Sequence, residues 1–243
     1  MIWFVRKLAS DLSDIRRWRL KPSDRVLDVG SGHNPHLRAD VLCDSEVEMD
    51  SQRPGLLGIH IDRRPFYQVN AESLPFPDKS FDFVICRHLV EHVESPGRLL
   101  GELTRVARRG YIETPSPAWE LLNPTPYHRW MVQWDGKRLQ FWEKDPSFFQ
   151  GLTPLALRHR PWFERLVCRA PETFLTRCLW ETEIPYCMEG VEGKPWSGSR
   201  GKQAGSGRLP PFAPTWRRRV TNRLMYALHR WVSAPKRWEG ILP

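Results

Sequence analysis

The chain has 243 residues, enough to bury one substantial core without disulfides or a structural metal. Hydrophobic residues make up 40% and charged residues 27%, and no apolar run is long enough to span a bilayer, which excludes a disordered chain and a transmembrane helix. The net charge of +9 is unevenly spread: residues 193–243 hold 11 Lys/Arg against the single acid Glu239, while residues 1–192 hold 26 Lys/Arg against 27 acids. That is a nearly neutral body with a basic attachment, not a uniformly basic nucleic-acid binder.

The opening apolar patch precedes Arg6 and Lys7, the wrong order for a secretory signal. The five cysteines, Cys43, Cys86, Cys168, Cys178 and Cys187, are scattered and never spaced C-x-x-C. A disulfide framework and a cysteine zinc site are not expected, and a reducing cytoplasm is. Phe4, Leu8, Leu12 and Ile15 recur at helical spacing, so an amphipathic helix is predicted within residues 1–20.

Residues 25–29 read as a buried strand stopped by Gly30-Ser31-Gly32, and residues 40–44 as a second strand. The gap between them is near the lower limit for a parallel crossover, and Pro35 restricts any helix there to a turn or two. Further strands are predicted at 66–69, 81–86 and 110–114, with helical segments from Leu89 and over 96–107. Strands alternating with helices imply a mostly parallel sheet covered on both faces. Residues 118–192 are rich in Trp, Phe and Pro, with strands predicted at 138–143 and 178–184. The tryptophans there either line an aromatic pocket or fill an irregular core. Residues 193–214 are rich in Gly, Pro and Ser and read as a flexible linker, and residues 215–235 as a final helix.

The turn Asp28-Val-Gly30-Ser31-Gly32 can be read as a dinucleotide fingerprint, but Pro35 occupies its third glycine position. It can also be read as D-x-G-x-G, which needs no third glycine. On that second reading the chain resembles the class I S-adenosylmethionine-dependent methyltransferases. The resemblance extends to Asn70-Ala71-Glu72-Ser73-Leu74-Pro75-Phe76-Pro77-Asp78-Lys79-Ser80-Phe81-Asp82, similar to the family's D-A-E-x-L-P-F-x-D-x-S-F-D run. It extends also to His88-Leu-Val-Glu91-His92-Val93 after strand four. It covers residues 23 to about 117.

The resemblance implies a Rossmann-like methyltransferase fold, an α/β architecture with helices on both faces of a mostly parallel sheet. A Trp-rich elaboration and a basic amphipathic tail helix follow. It implies a methyltransferase domain over 21–192, with a cofactor half (21–117) and an acceptor half (118–192); the linker over 193–214 and the basic segment over 215–243 are read from composition and charge, and the segment from residue 216 lies outside the resemblance. The implied cofactor is S-adenosyl-L-methionine. The implied cofactor residues are Asp28, Gly30, Ser31 and Gly32 for the methionine end, Asp44 for the ribose hydroxyls, Asn70 and Ala71 for adenine, and Arg87 after strand four. Asp62 is the rival to Asp44. Asn70 departs from the family's acid at that place, though its carbonyl can still accept a bond. Glu72 is expected to be structural or a cap.

His88 is the candidate general base, and Tyr127 and His128 are further candidates in a loop that would close over the site. The string H-x-x-E-H also matches a zinc-peptidase motif, but the resemblance accounts for it and no third ligand is evident, so no metal is expected. Three function classes follow: methyl transfer to a small-molecule, sugar or lipid-linked acceptor; a ligand-binding module without turnover; and a nucleic-acid methyltransferase. Cys86-Arg87-His88 stands where a base-methylating motif would stand, which argues against the last. In the tail, Trp216, Val220, Leu224, Ala227, Leu228 and Trp231 form one stripe, with Arg217, Arg218, Arg219, Arg223 and Arg230 on the other faces. Such a helix suits an anionic membrane surface, peripheral on the inner face, or else docks on protein.

Overall fold

A computed structural model describes residues 2–45, 59–144, 165, 169–189, 207–208, 224, 226–236, 238–240 and 242. The first helix, α1, spans Ile2–Arg17. A seven-stranded sheet has the order β10-β3-β2-β1-β4-β5-β8. Its parallel centre is β1 (Val26–Val29), β2 (Val41–Asp44), β3 (Phe66–Gln68), β4 (Phe81–Arg87) and β5 (Ala107–Pro115). The two outer strands, β8 (Leu175–Glu181) beside β5 and β10 (Gly207–Arg208) beside β3, run antiparallel. A second sheet joins β6 (Trp130–Trp134), β7 (Leu139–Glu143) and β9 (Tyr186–Glu189).

Strand alternation splits the core into two layers. Val26, Phe83, Ile85 and Tyr111 face one side, where Trp18 and Leu20 cover them. Trp18, 1% exposed, packs against Phe83, Tyr111 and His36 at ring-centroid distances of 5.5, 4.4 and 5.0 Å. The N-terminal helix is thereby anchored to the sheet. Leu27, Val29, Val84, Cys86 and Ile112 face the other side with Leu99, Leu100, Leu103 and Val106 of α2 (Pro96–Val106). Those leucines recur every three or four residues, the spacing that gives a helix one apolar face. Both faces being covered, the strands are almost wholly buried.

Gly110 lets β5 sit between its neighbours: a Cβ there would lie 2.6 Å from Val84 and 2.8 Å from Trp180. Trp130 and Trp180 are buried in the main core, which supports the core reading for these two tryptophans. Glu72 accepts from Ser95 N at 3.0 Å, next to the start of α2, so it supports that helix end.

Several readings of the sequence are corrected. Residues 89–94 form turns, not a helix. A short helix, α3 (Pro117–Leu122), follows β5, and another, α4 (Pro171–Phe174), precedes β8. Within the stretch read as a linker, Gly207 and Arg208 pair with Gln68 and Tyr67 of β3. The rest of 193–206 and 209–214 lies outside the described residues. So does most of the start of the tail helix, but residues 226–232 are helical and dock on the body. His229 Nδ1 meets Leu37 O at 3.1 Å, Ala234 N donates to Pro22 O at 2.9 Å, and Lys236 Nζ bonds Asp40 at 2.7 Å. Leu224 and Trp231, the latter 79% exposed, remain in solvent.

Candidate active site

The carboxyl ends of the parallel strands bring the sequence-predicted residues to one rim of the sheet, where open α/β sheets place ligands. Asp28, second from the end of β1, is buried and accepts from His36 N at 2.7 Å. Burial raises its carboxyl above the usual range, while Arg87 opposes that rise. The chain then turns through Gly30 (φ +70°) and Gly32 (φ +53°), left-handed conformations that glycine adopts without strain. Gly30 N and Ser31 N both donate to Cys43 O, at 2.9 and 3.1 Å, which ties the loop to the end of β2.

Asp44 is the last residue of β2, and its Oδ2 accepts from Gly32 N at 2.9 Å. Asp62, its rival, is buried in an ion pair with Arg64 instead. The end of β3 lies beside Asp44, because Val69 N donates to Asp44 O at 3.0 Å. The next residue, Asn70, is exposed; its Oδ1 accepts from Glu72 N at 2.9 Å, and Ala71 packs against the core. Arg87 ends β4 and donates from Nη2 to Asn34 O at 3.0 Å.

Two buried polar atoms of the β1–β2 loop, Ser31 Oγ and Asn34 Oδ1, have no hydrogen-bond partner among the described residues. Orphaned polar atoms beside a left-handed glycine turn fit a polar ligand close to the backbone. Asn34 escaped the sequence reading because it belongs to no contiguous motif.

The second half of the rim lies past β4 and β5. His88 is left-handed (φ +52°) and its N–H donates to Glu113 O at 2.7 Å. Its imidazole is 53% exposed, with Nδ1 3.7 Å from Glu91 and Nε2 3.8 Å from Glu113. Partial desolvation pulls its pKa down, but Glu91 and Glu113 outweigh that and raise it above the ordinary value. Glu91 is 1% exposed. Burial would raise its carboxyl, but His88, His92 and His128 hold it down at about 2.

Glu91 also ties in the loop after α3. Its backbone carbonyl accepts from Arg129 N and Trp130 N at 2.7 and 3.1 Å, and its Oε2 accepts from Thr114 Oγ1 at 2.9 Å. That brings Tyr127 and His128 to the rim: Tyr127 stacks on His92 at 5.7 Å, and His128 meets His92 edge-on at 4.7 Å. His128 Nδ1 pairs with Glu120, which Lys144 Nζ also reaches at 2.7 Å. The same loop brings one more potential ligand, His128, beside the H-x-x-E-H segment. Ligand atoms of Glu91, His92 and His128 lie within 4.8 Å of one another. Sequence reasoning missed Glu113, Thr114, Glu120 and Lys144. A glutamate within the predicted strand 110–114 was the one signal available for Glu113.

Residues 27–112 match the family described as a methyltransferase domain. An uncharacterized methyltransferase of Bacillus subtilis is 30% identical over 108 residues, 39% of this chain and 41% of that protein. The ubiquinone/menaquinone biosynthesis C-methyltransferase of Xanthomonas oryzae is 33% identical over 104 residues, 38% of this chain and 41% of that protein. Among solved structures, the YcgJ protein of Bacillus subtilis aligns with a TM-score of 0.36 at 25% identity, covering 49% of this chain and 61% of that one. The chain thus spans about two fifths of the length of the curated relatives it matches. Residues 27–112 are therefore a methyltransferase domain of the class I S-adenosylmethionine-dependent kind.

Proposed function

We propose that the chain moves a methyl group from S-adenosylmethionine to a small-molecule, sugar or lipid-linked acceptor by in-line displacement. The observation that carries this reading is the convergence of the Gly30–Gly32 turn, Asp44 and His88 on one rim of the sheet. Bound S-adenosylmethionine supplies an already activated sulfonium methyl, so the protein has mainly to align the partners and exclude water. In this reading Asp28, Gly30, Ser31 and Gly32 take the methionine end, with Asp28 on the ammonium. Asp44 holds the ribose hydroxyls, Asn70 and Ala71 border the adenine, and Arg87 steadies the first loop through Asn34.

An acceptor hydroxyl or acidic carbon must lose a proton, and His88, held between Glu91 and Glu113, is the base that would take it. Tyr127 and His128 form the wall opposite. A relative named as a ubiquinone/menaquinone biosynthesis C-methyltransferase makes a quinone precursor one lipid-type acceptor to test. The neutral body and the absence of a base-methylating motif after β4 weigh against nucleic acid.

The reading places the protein in the cytoplasm, against the inner face of the membrane. No helix among the described residues is long and apolar enough to cross a membrane. The docked C-terminal segment, however, leaves Leu224 and Trp231 outward, and its arginines favour anionic headgroups. Calorimetry with S-adenosylmethionine tests the first step. Transfer of labelled methyl into lipid, glycan, protein or RNA fractions of a cell extract tests the second. Tight binding with no label in any fraction would favour a binding module without turnover.

A further inference from the structure

We infer that Glu91, His92 and His128 form a binding site for one divalent transition-metal ion of the zinc class. Their ligand atoms lie within 4.8 Å of one another at the carboxyl ends of β4 and β5. The closest pair the structure shows, His92 Nε2 and Glu91 Oε1, is 3.8 Å apart. That is too long for a hydrogen bond. It is close to the separation of roughly 3–3.5 Å that two ligands about 2 Å from a tetrahedral zinc must have.

Each side is also pre-set by a second contact. Thr114 Oγ1 holds Glu91 Oε2 and leaves Oε1 pointing at the histidines. Glu120 holds His128 Nδ1 and is itself bonded by Lys144, which leaves Nε2 as the free ring nitrogen. A carboxylate behind a histidine is the usual support for a metal-bound imidazole. Finally, Glu91 Oε1 is buried, and the nearest ring nitrogens, His88 Nδ1 at 3.7 Å and His92 Nε2 at 3.8 Å, stand beyond hydrogen-bond reach, a gap that a bridging cation would close.

The other cluster of this kind, Asp11, Asp14 and His36, lacks these properties. His36 Nδ1 accepts from Arg38 N, which puts the ring proton on Nε2, the nitrogen that faces the two carboxylates. Asp11 Oδ2 is already used by Lys7 and Leu37 N. The His36 nitrogen that faces the acids, at 3.7 and 4.0 Å, therefore carries the ring proton and has no lone pair for a metal.

Two imidazoles and one carboxylate suit zinc or a neighbouring divalent ion and leave at least one coordination position open. That position would adjoin His88, where the proposed function puts the acceptor. An acceptor oxygen bound there would be polarised. Only this last role depends on the proposed function.

The test is metal binding itself, on the full chain without a polyhistidine tag, stripped with a chelator. Equilibrium dialysis should return one Zn²⁺ per chain, and Zn²⁺ should raise the melting temperature. Co²⁺ should give the visible ligand-field band of a low-coordinate nitrogen and oxygen site. His92→Gln and His128→Gln should each abolish the band and the thermal shift. Glu120→Gln, one step removed, should weaken the ion about 10- to 100-fold. His33→Gln, on an exposed histidine that is not one of the three ligands, should leave binding intact. No ion retained by the parent chain overturns the site, as does equal retention by His92→Gln and His128→Gln. Should His128→Gln fail to fold, His92→Gln decides alone. Methyl transfer is not measured, so failure here is separate from failure of the proposed function.

Discussion

Asp44 reaches two partners at once in the proposed complex, Gly32 N now and the ribose when the cofactor is bound. Asp44→Ala should therefore lose bonds to an ionised acceptor worth about 1.5–3 kcal/mol, or roughly 10- to 100-fold in affinity. Calorimetry checks this, and unchanged affinity would remove Asp44 from the site. Gly30→Val acts in two ways. The sequence alone argues only for a clash with ligand in an otherwise intact fold. The structure adds that residue 30 sits at φ +70° and that a Cβ there would lie 3.1 Å from Leu89. A β-branched residue is poorly tolerated in that conformation. We expect Gly30→Val to lose cofactor binding and also about 1–3 kcal/mol of stability. A thermal melt equal to the parent's would contradict the second half.

His229 gives the docked C-terminal segment a pH dependence. Burial, aided by Arg64 and Arg38 and opposed by Asp40, lowers its pKa to about 4. In an unfolded or detached segment it titrates near about 6.5. A depressed histidine stabilises the neutral, docked form above the higher value. That contribution is lost as the pH falls from about 6.5 to about 4, up to roughly 3 kcal/mol. Proteolysis of the segment should accelerate across that window, and His229→Gln should flatten the dependence. An unaltered dependence in the variant would assign it to another group.

The same scale shows what the sequence can disclose. β1 and β2 are legible because each is a short apolar run closed by Gly30 or Asp44, and β5 because Pro115 ends it. The Asp28–Gly32 loop, proposed to hold the cofactor, is legible because its residues are contiguous. β10 is not legible: two residues within a Gly- and Ser-rich stretch carry no periodicity, and only pairing with β3 makes them a strand. Residues 89–94 carry apolar residues at helical spacing, yet the turn is fixed by His88 at positive φ and by Glu91 carbonyl bonds to Arg129 and Trp130. The Glu91–His92–His128 group was hidden because its third member lies 36 residues beyond the motif, brought in by that same carbonyl.

At the scale of the whole molecule, the C-terminal segment presents Leu224 and Trp231 to solvent while its other side docks through His229 and Lys236. The chain should co-sediment with vesicles rich in anionic lipid, less so at high salt. The double variant Leu224→Asp, Trp231→Asp should not, because it spoils the outward stripe and spares the docked face. Equal sedimentation of the two would leave the segment as a packing element. Truncation near residue 200 is the poorer test, since it removes β10 and the docked contacts as well. The two outer strands have a further consequence, which concerns biosynthesis. β3 and β5, the flanks of the parallel centre, are complete by Pro115, but their partners β8 and β10 begin only at Leu175 and Gly207. At about 5–20 residues per second, a ribosome takes on the order of 5–20 s to supply both. During that interval the nascent sheet has two naked flanks of unpaired amides, the arrangement most prone to pairing with another chain. Slow codons or a holding chaperone would act over that stretch, and a nascent chain halted soon after Pro115 should be the most aggregation-prone form of this protein.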